Sequence, residues 1–228
     1  MKKFVAALGI AILGLNTVSA QNMMDLVSPT HTDLFRNKAM GIQKYEKAVG
    51  SPYLDEKFNL ANISGVKDLV LVRYNAESDE MDIDNGEQKI YTLPKNDEYH
   101  TITFKNGMFT FKLRDYTDAK GKPARGYLIE KFSNNDIALY RKERVVFMAG
   151  KEAVNSYSND VPPKLNRAKE EYYLQTKDGK TVEFPNKKGL ISMYPNKKSE
   201  IEKFLKENKL GFNRESDLIA ITKFIANL

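Results

Sequence analysis

Six carboxylates, Glu77, Asp79, Glu80, Asp82, Asp84 and Glu87, stand within eleven consecutive positions of this 228-residue chain. If the segment is a strand, its side chains alternate, so Asp82 and Asp84 share one face at a spacing where two oxygens could meet a Ca²⁺ ion. The calcium-loop pattern fails, however. With Gly86 at its sixth position, Met81 and Ile83 stand where acidic ligands belong, and Thr92 replaces the closing glutamate. A solvated strand face, with Lys89 opposite Asp82 to relieve repulsion, outweighs a metal site. Paired acids for hydrolysis depend on the fold: Glu77 to Glu87 and Asp115 to Asp118 are segments it could bring together, and nothing in the sequence selects a pair.

Other chemistries find less support. The chain has two histidines. His31 sits in an irregular leader and His100 at the rim of an apolar hairpin face, so neither is held as a general base needs to be. Cysteine is absent, which excludes thiol catalysis, thiolate metal sites and disulfide exchange. No serine occupies a nucleophile elbow, and no glycine-rich loop with a following lysine suggests nucleotide binding. Lys187-Lys188 and Lys197-Lys198 flank Met193-Tyr194-Pro195, and Arg141-Lys142 with Arg144 border a strand, but Glu143, Glu200 and Glu202 dilute both basic groups. The sequence therefore assigns no catalytic, cofactor-binding or metal residue. It points to no nucleic acid, and leaves an envelope protein, lipid or glycan as the kind of partner a mildly cationic surface would meet.

The first twenty residues are read as a cleavable export signal. Lys2 and Lys3 form a positive start, Phe4 to Leu15 an apolar run ending at Asn16, and Val18-Ser19-Ala20 the small residues of a cleavage site before Gln21. About a dozen apolar residues fall short of the roughly 20 that span a bilayer as a helix, so the segment is a signal and not an anchor. The expected location is periplasmic or secreted. The formal charge of +6 falls to +4 as Lys2 and Lys3 leave.

The elements that would position any site are mainly strands. Gln21 to Thr32 reads as a flexible leader. Phe35, Ala39, Ile42 and Tyr45 then fit one face of an N-terminal helix capped by Thr32 and stopped near Gly50. Between 56 and 184, Asn85-Gly86, Asn106-Gly107 and Asp178-Gly179 mark hairpin turns. Register around the second pairs Phe104 with Phe109, Ile102 with Phe111 and His100 with Leu113 on an apolar face, with Thr103–Thr110 and Thr101–Lys112 on the other. Around the third it sets Tyr173 opposite Phe184 and Gln175 opposite Val182; around the first it groups Met81 and Ile83 with Ile90. Further strands fit Asp68 to Tyr74, Tyr127 to Phe132, Ile137 to Arg141 and Val145 to Met148. After Pro185 the apolar period lengthens: Ile201, Phe204 and Leu205 stripe a helix over Asn196 to Asn208, and Asn213 caps a last helix with Leu218, Ile221 and Ile225 on one side. The predicted fold is α+β and mainly β: a curved antiparallel sheet or partly closed barrel, with an N-terminal helix and two or three C-terminal helices. Residues 33–228 form a single globular domain, β-rich over 56–184 and helical over 187–228.

The run Gly50-Ser51-Pro52-Tyr53-Leu54-Asp55-Glu56-Lys57-Phe58, then Val72-Arg73-Tyr74-Asn75 with Asp79-Glu80-Met81, then Tyr172-Tyr173-Leu174 and the ending Lys198 to Leu210, resembles uncharacterised exported proteins of Bacteroidota. The resemblance covers most of the chain after the signal. It implies an envelope or secreted location and transfers no site. On these grounds the protein reads as a non-catalytic binding or structural module, with a carboxylate-dependent hydrolase or a carrier of a small apolar ligand as alternatives.

Overall fold

Alternation of apolar and polar residues builds a large antiparallel sheet in the computed structural model, which describes Tyr45 and residues 47–84, 90–134, 136–153 and 159–228. The export signal, the leader with His31, the helix capped by Thr32, and the Asn85-Gly86 turn with Lys89 lie outside the described residues. The strands are β1 (Asn59–Ile63), β2 (Val70–Asn75), β3 (Glu80–Asp84), β4 (Ile90–Thr92), β5 (Thr101–Phe104), β6 (Thr110–Thr117), β7 (Pro123–Asn134), β8 (Ile137–Lys142), β9 (Val145–Met148), β10 (Lys164–Arg167), β11 (Glu171–Gln175) and β12 (Thr181–Glu183). Helices α1 (Lys187–Met193), α2 (Lys198–Glu207) and α3 (Glu215–Ala226) follow, with a 3-10 turn over Pro195–Lys197 between the first two.

Ten strands form one sheet in the order β12-β11-β8-β7-β6-β5-β1-β2-β3-β4, and β12 returns to β6 through a parallel pair, Val182 with Thr117. The strands β6, β7, β8, β11 and β12 thus close into a small barrel, and β5-β1-β2-β3-β4 extend from it. Strand β6 belongs to both parts: it pairs with β7 along Phe111 to Thr117, while its first residues pair with β5 and its last with β12. A separate two-stranded ribbon pairs β9 with β10.

Three cores follow from this arrangement. Val70, Val72, Tyr74, Met81, Ile83, Ile102, Phe104, Phe111, Tyr127 and Ile129 fill the space against the extension, with Val145 and Leu165 of the ribbon. The outer barrel face, at Ile137 and Leu174, packs against Leu190, Ile201, Leu205, Ile221 and Ile225 of the helices. The remaining face is the lumen, filled by Leu128, Ala138, Tyr140, Tyr173 and Tyr116. There Tyr140 Oη accepts from Arg114 Nε at 3.3 Å and donates to Gln175 Oε1 at 3.1 Å. A barrel of this size is filled by its own side chains, and these five residues pack together inside this one.

Local readings hold where the loop is centred on the turn dipeptide, as in the four-residue loop Lys105 to Met108, where Phe104 N donates to Phe109 O and Gly107 N to Phe104 O. The Asn106-Gly107 hairpin has the register expected, Thr101 with Lys112, Ile102 with Phe111 and Thr103 with Thr110. The third hairpin is shifted by one residue, with Leu174 opposite Val182. Its loop is Lys177-Asp178-Gly179, closed by Thr176 N donating to Lys180 O, and Gly179 takes the left-handed position at φ 80°. A one-residue slip exchanges the faces of every side chain. The first hairpin is also longer than two residues: Asp82 faces Thr92, Ile83 faces Tyr91, and Ile90 pairs with Asp84 instead of joining Met81. Strands β1 and β10, helix α1 and the Asp118–Lys122 turn, which repeats the third hairpin's form with Gly121, add to the elements read from sequence. Helix α3 begins one residue later than the Asn213 cap would place it: its N-cap is Arg214, without a side-chain hydrogen bond, and Asp217 in its first turn accepts from Gly211 N. No helix among the described residues is long and apolar enough to cross a membrane.

Because Ile225 is wholly buried between α3 and the barrel, Ile225→Ala should destabilise the fold by about 2–5 kcal/mol. Urea unfolding followed by circular dichroism would measure the loss, and a change below about 1 kcal/mol would mean that the helices are not part of the cooperative core.

Candidate functional site

The acidic run does not form a solvated face. Asp82 is fully buried, and its cross-strand neighbour is Arg73, whose Nη2 lies 3.6 Å from Asp82 Oδ2. The Arg73 guanidinium stacks over Tyr53 at 3.5 Å and lies 4.4 Å from the Phe58 ring, an arrangement suited to a weakly hydrated, planar cation. Among the described residues no three His, Cys, Asp or Glu side chains are grouped as metal ligands. His100 is exposed, outside the core rim where its spacing placed it, and its Nδ1 lies 2.9 Å from Asp97 O.

Asp79 occupies a different position. The turn from β2 to β3 is shaped by Asn75, whose Oδ1 accepts from Glu77 N and Ser78 N, and it places Asp79 in the left-handed region at φ 56°. Aspartate tolerates that conformation better than most residues. The carboxylate is thereby carried to Tyr127 of β7, just N-terminal of Ile129–Arg141, the pair at which the β7–β8 ladder ends. Asp79 Oδ1 accepts from Tyr127 N at 3.2 Å, and Lys142 Nζ donates to Tyr127 O at 3.0 Å. Two side chains thus satisfy backbone groups that would otherwise be buried and unpaired. They also meet each other, Nζ to Oδ1, at 2.5 Å; Tyr74 Oη (2.7 Å) and Lys95 Nζ (2.7 Å) complete the shell of Asp79.

Gly126 makes this possible. A Cβ at that position would stand 2.2 Å from Asp79 Oδ2 and 3.1 Å from Lys142 Nζ. Lys142 is only 5 % exposed, and burial pushes its ammonium below the ordinary value, against the opposing pull of Asp79.

A pocket of about 280 Å³ opens beside this pair. Lys142 and Asp79 form part of its wall, with Glu77, Tyr116, Asp118, Arg144, Glu171 and Tyr173. Arg144 Nη1 donates to Glu171 Oε1 at 2.8 Å, and Tyr173 Oη donates to Glu171 Oε2 at 2.9 Å. Tyr45 Oη donates to Glu77 at 2.5 Å. The rings of Tyr116 and Tyr173 meet edge-on with centroids 4.8 Å apart. Burial, reinforced by the negative charge of Asp79, pushes the Tyr116 hydroxyl up to about 12. Asp118 is held below the usual carboxylate range by backbone N–H groups, first that of Lys122, and its Oδ1 accepts from both Lys120 and Lys122.

The fold therefore joins Glu77 and Asp79 of one acidic segment to Asp118 of the other. It adds Tyr116, Gly126, Lys142, Arg144, Glu171 and Tyr173, which sequence reasoning did not select as a site. Arg141, Lys142 and Arg144 do not form a cationic surface: Arg141 reaches Glu143, Glu170 and Glu215, and the other two are paired as described. The alternation Ala138, Tyr140, Lys142 was the available signal, since it places the lysine on the same strand face as a buried tyrosine.

Two measurements probe this site. Gly126→Ala should cost about 1–3 kcal/mol by overpacking, and Asp79→Asn about 3 kcal/mol or more by leaving Lys142 buried without its counter-charge; the double variant should lose less than the sum in urea unfolding. Stability should also fall at high pH. Burial raises Tyr53 and Tyr116 from 10.0 to about 12, so between those values the folded chain keeps protons that the unfolded chain has released. Their contribution is complete below pH 10 and is lost through pH 12. Lys142, being lowered from 10.5, acts in the opposite sense below that pH, so the decline should set in only above it. A flat profile from pH 10 to 12 would contradict the burial of the two phenols. Comparison of the chain with protein-family models, with curated proteins and with solved structures finds no match.

Proposed function

We propose that the protein is an exported, non-catalytic binding module of the periplasm or the secreted space, and that its recognition site is the polar pocket beside Lys142. The export part rests on Lys2, Lys3, the apolar run Phe4 to Leu15 and Val18-Ser19-Ala20. The binding part is carried by one observation: the pocket's strongest charges are committed to one another, Lys142 to Asp79 and Arg144 to Glu171. An ammonium that donates to a carboxylate and to a backbone carbonyl has no lone pair to offer as a base or nucleophile. A wall of fixed dipoles and the partly exposed ring of Tyr116 suits holding a ligand.

A carboxylate-dependent hydrolase is the second reading, and the meeting of Glu77, Asp118 and Glu171 in one pocket favours it. Such a reaction needs one carboxyl held protonated near neutral pH. Asp118 is shifted the other way, and Glu171 is engaged by Arg144 and Tyr173. Binding is the better account.

The test is a thermal-shift screen of the full chain against small polar metabolites, including sugars, amino acids and nucleosides, with Ala124→Phe as the control, because Ala124 lines the pocket without belonging to its charge network. At least one compound should raise the melting temperature of the wild-type protein and not that of the plugged variant. No hit, or hits indifferent to Ala124→Phe, would overturn the assignment of the pocket.

A further inference from the structure

From the unused hydrogen-bonding capacity of this pocket we infer that its ligand is one ring of an uncharged saccharide, an inference that rests on the binding reading above. An ammonium has three N–H donors and a guanidinium five. Lys142 Nζ directs one to Asp79 and one to Tyr127 O, and Arg144 directs one to Glu171. Tyr116 Oη enters no hydrogen bond among the described residues, although its ring packs against Tyr173. The wall therefore retains donors on three side chains, and one of them, Lys142, is nineteen-twentieths buried.

Charge narrows the choice of ligand. Four carboxylates and two cations line the pocket, so an anion that approached the free donors would also meet Glu77 and Asp118. A cation drawn to those acids would stand against Lys142 and Arg144. A hydroxyl group escapes both conflicts, because it accepts from a donor and donates to a carboxylate at once. Several hydroxyls on a compact frame are what a wall of alternating donors and acceptors can satisfy. The partly exposed ring of Tyr116, backed edge-on by the buried Tyr173, offers apolar surface to the C–H face of such a frame. The volume of about 280 Å³ lies at the small end of ligand sites, which fits one ring and not an extended chain.

The experiment is saturation-transfer NMR on the full chain with glucose, galactose, mannose and N-acetylglucosamine as probes, and with acetate and methylammonium as charged probes. Transfer to the ring protons of at least one sugar is expected, with the dissociation constant weakened about tenfold by Tyr116→Phe and by Arg144→Ala. Arg144 is half exposed, so its removal should leave the urea unfolding midpoint close to wild type. Transfer to a charged probe alone, or sugar transfer untouched by both variants, would overturn the saccharide assignment. If no sugar binds while another compound shows stabilisation that Ala124→Phe abolishes, the ligand class is wrong and the binding site stands; if nothing binds, both fall.

Discussion

The contact on which the remaining architecture depends is the one between Asp79 and Lys142. The Lys142 ammonium is withdrawn from water at a cost of several kcal/mol of hydration, and the half-buried Asp79 carboxylate loses part of its own. Here that loss is offset by unusually complete partnering: Asp79 accepts from a tyrosine hydroxyl, a backbone amide and two lysines, and Lys142 also reaches a backbone carbonyl. The pair occupies the place along β7 where a strand partner is missing. It thereby joins the β2–β3 turn of the extension to the end of β8 in the barrel, two parts that the sheet itself connects through β6. Gly126 follows as a necessity, since the carboxylate occupies the space its side chain would need.

Strand β7 shows what this arrangement demands of a sequence. Tyr127, Leu128 and Ile129 are all buried, although consecutive side chains point to opposite faces. One face meets the extension core and the other the lumen. The next strand is buried in the same two-sided way, from Ile137 to Tyr140, because the helices cover its outer face. The helices are further tied by charge: Arg141 and Lys131 both reach Glu215 at the start of α3. Acidic groups at that end also suit the helix dipole.

The pocket sits where these parts meet, so its wall draws on the β2–β3 turn, β6, β8 and β11. Side chains on strands are held more firmly than side chains on loops, and the ion pairs and ring contact between them restrict rotation further. Such a wall is pre-organised, which lowers the ordering cost that a bound ligand must overcome.

Much of the secondary structure was legible in the residues. Alternation around Asn106-Gly107 determined a hairpin to the residue, and the stripe Leu218, Ile221, Ile225 determined the buried side of the last helix. The third hairpin slipped because a glycine after aspartate fits either a two-residue turn or the last position of a three-residue loop, and the choice lies in how the flanking strands pack. The acidic run misled for a similar reason. Charge on a strand is solvated by default, and only the sheet set Arg73 against Asp82 and carried Asp79 to Lys142, sixty-three positions away in the chain. Sequence by itself determined the β-rich class, the turns it could count and the helices at the end, because these depend on neighbours within a few residues. The barrel closure, the ion pair of the buried Lys142 with Asp79 and the pocket were decided by tertiary structure alone, because each depends on the desolvation and juxtaposition of groups that meet only when distant strands pair.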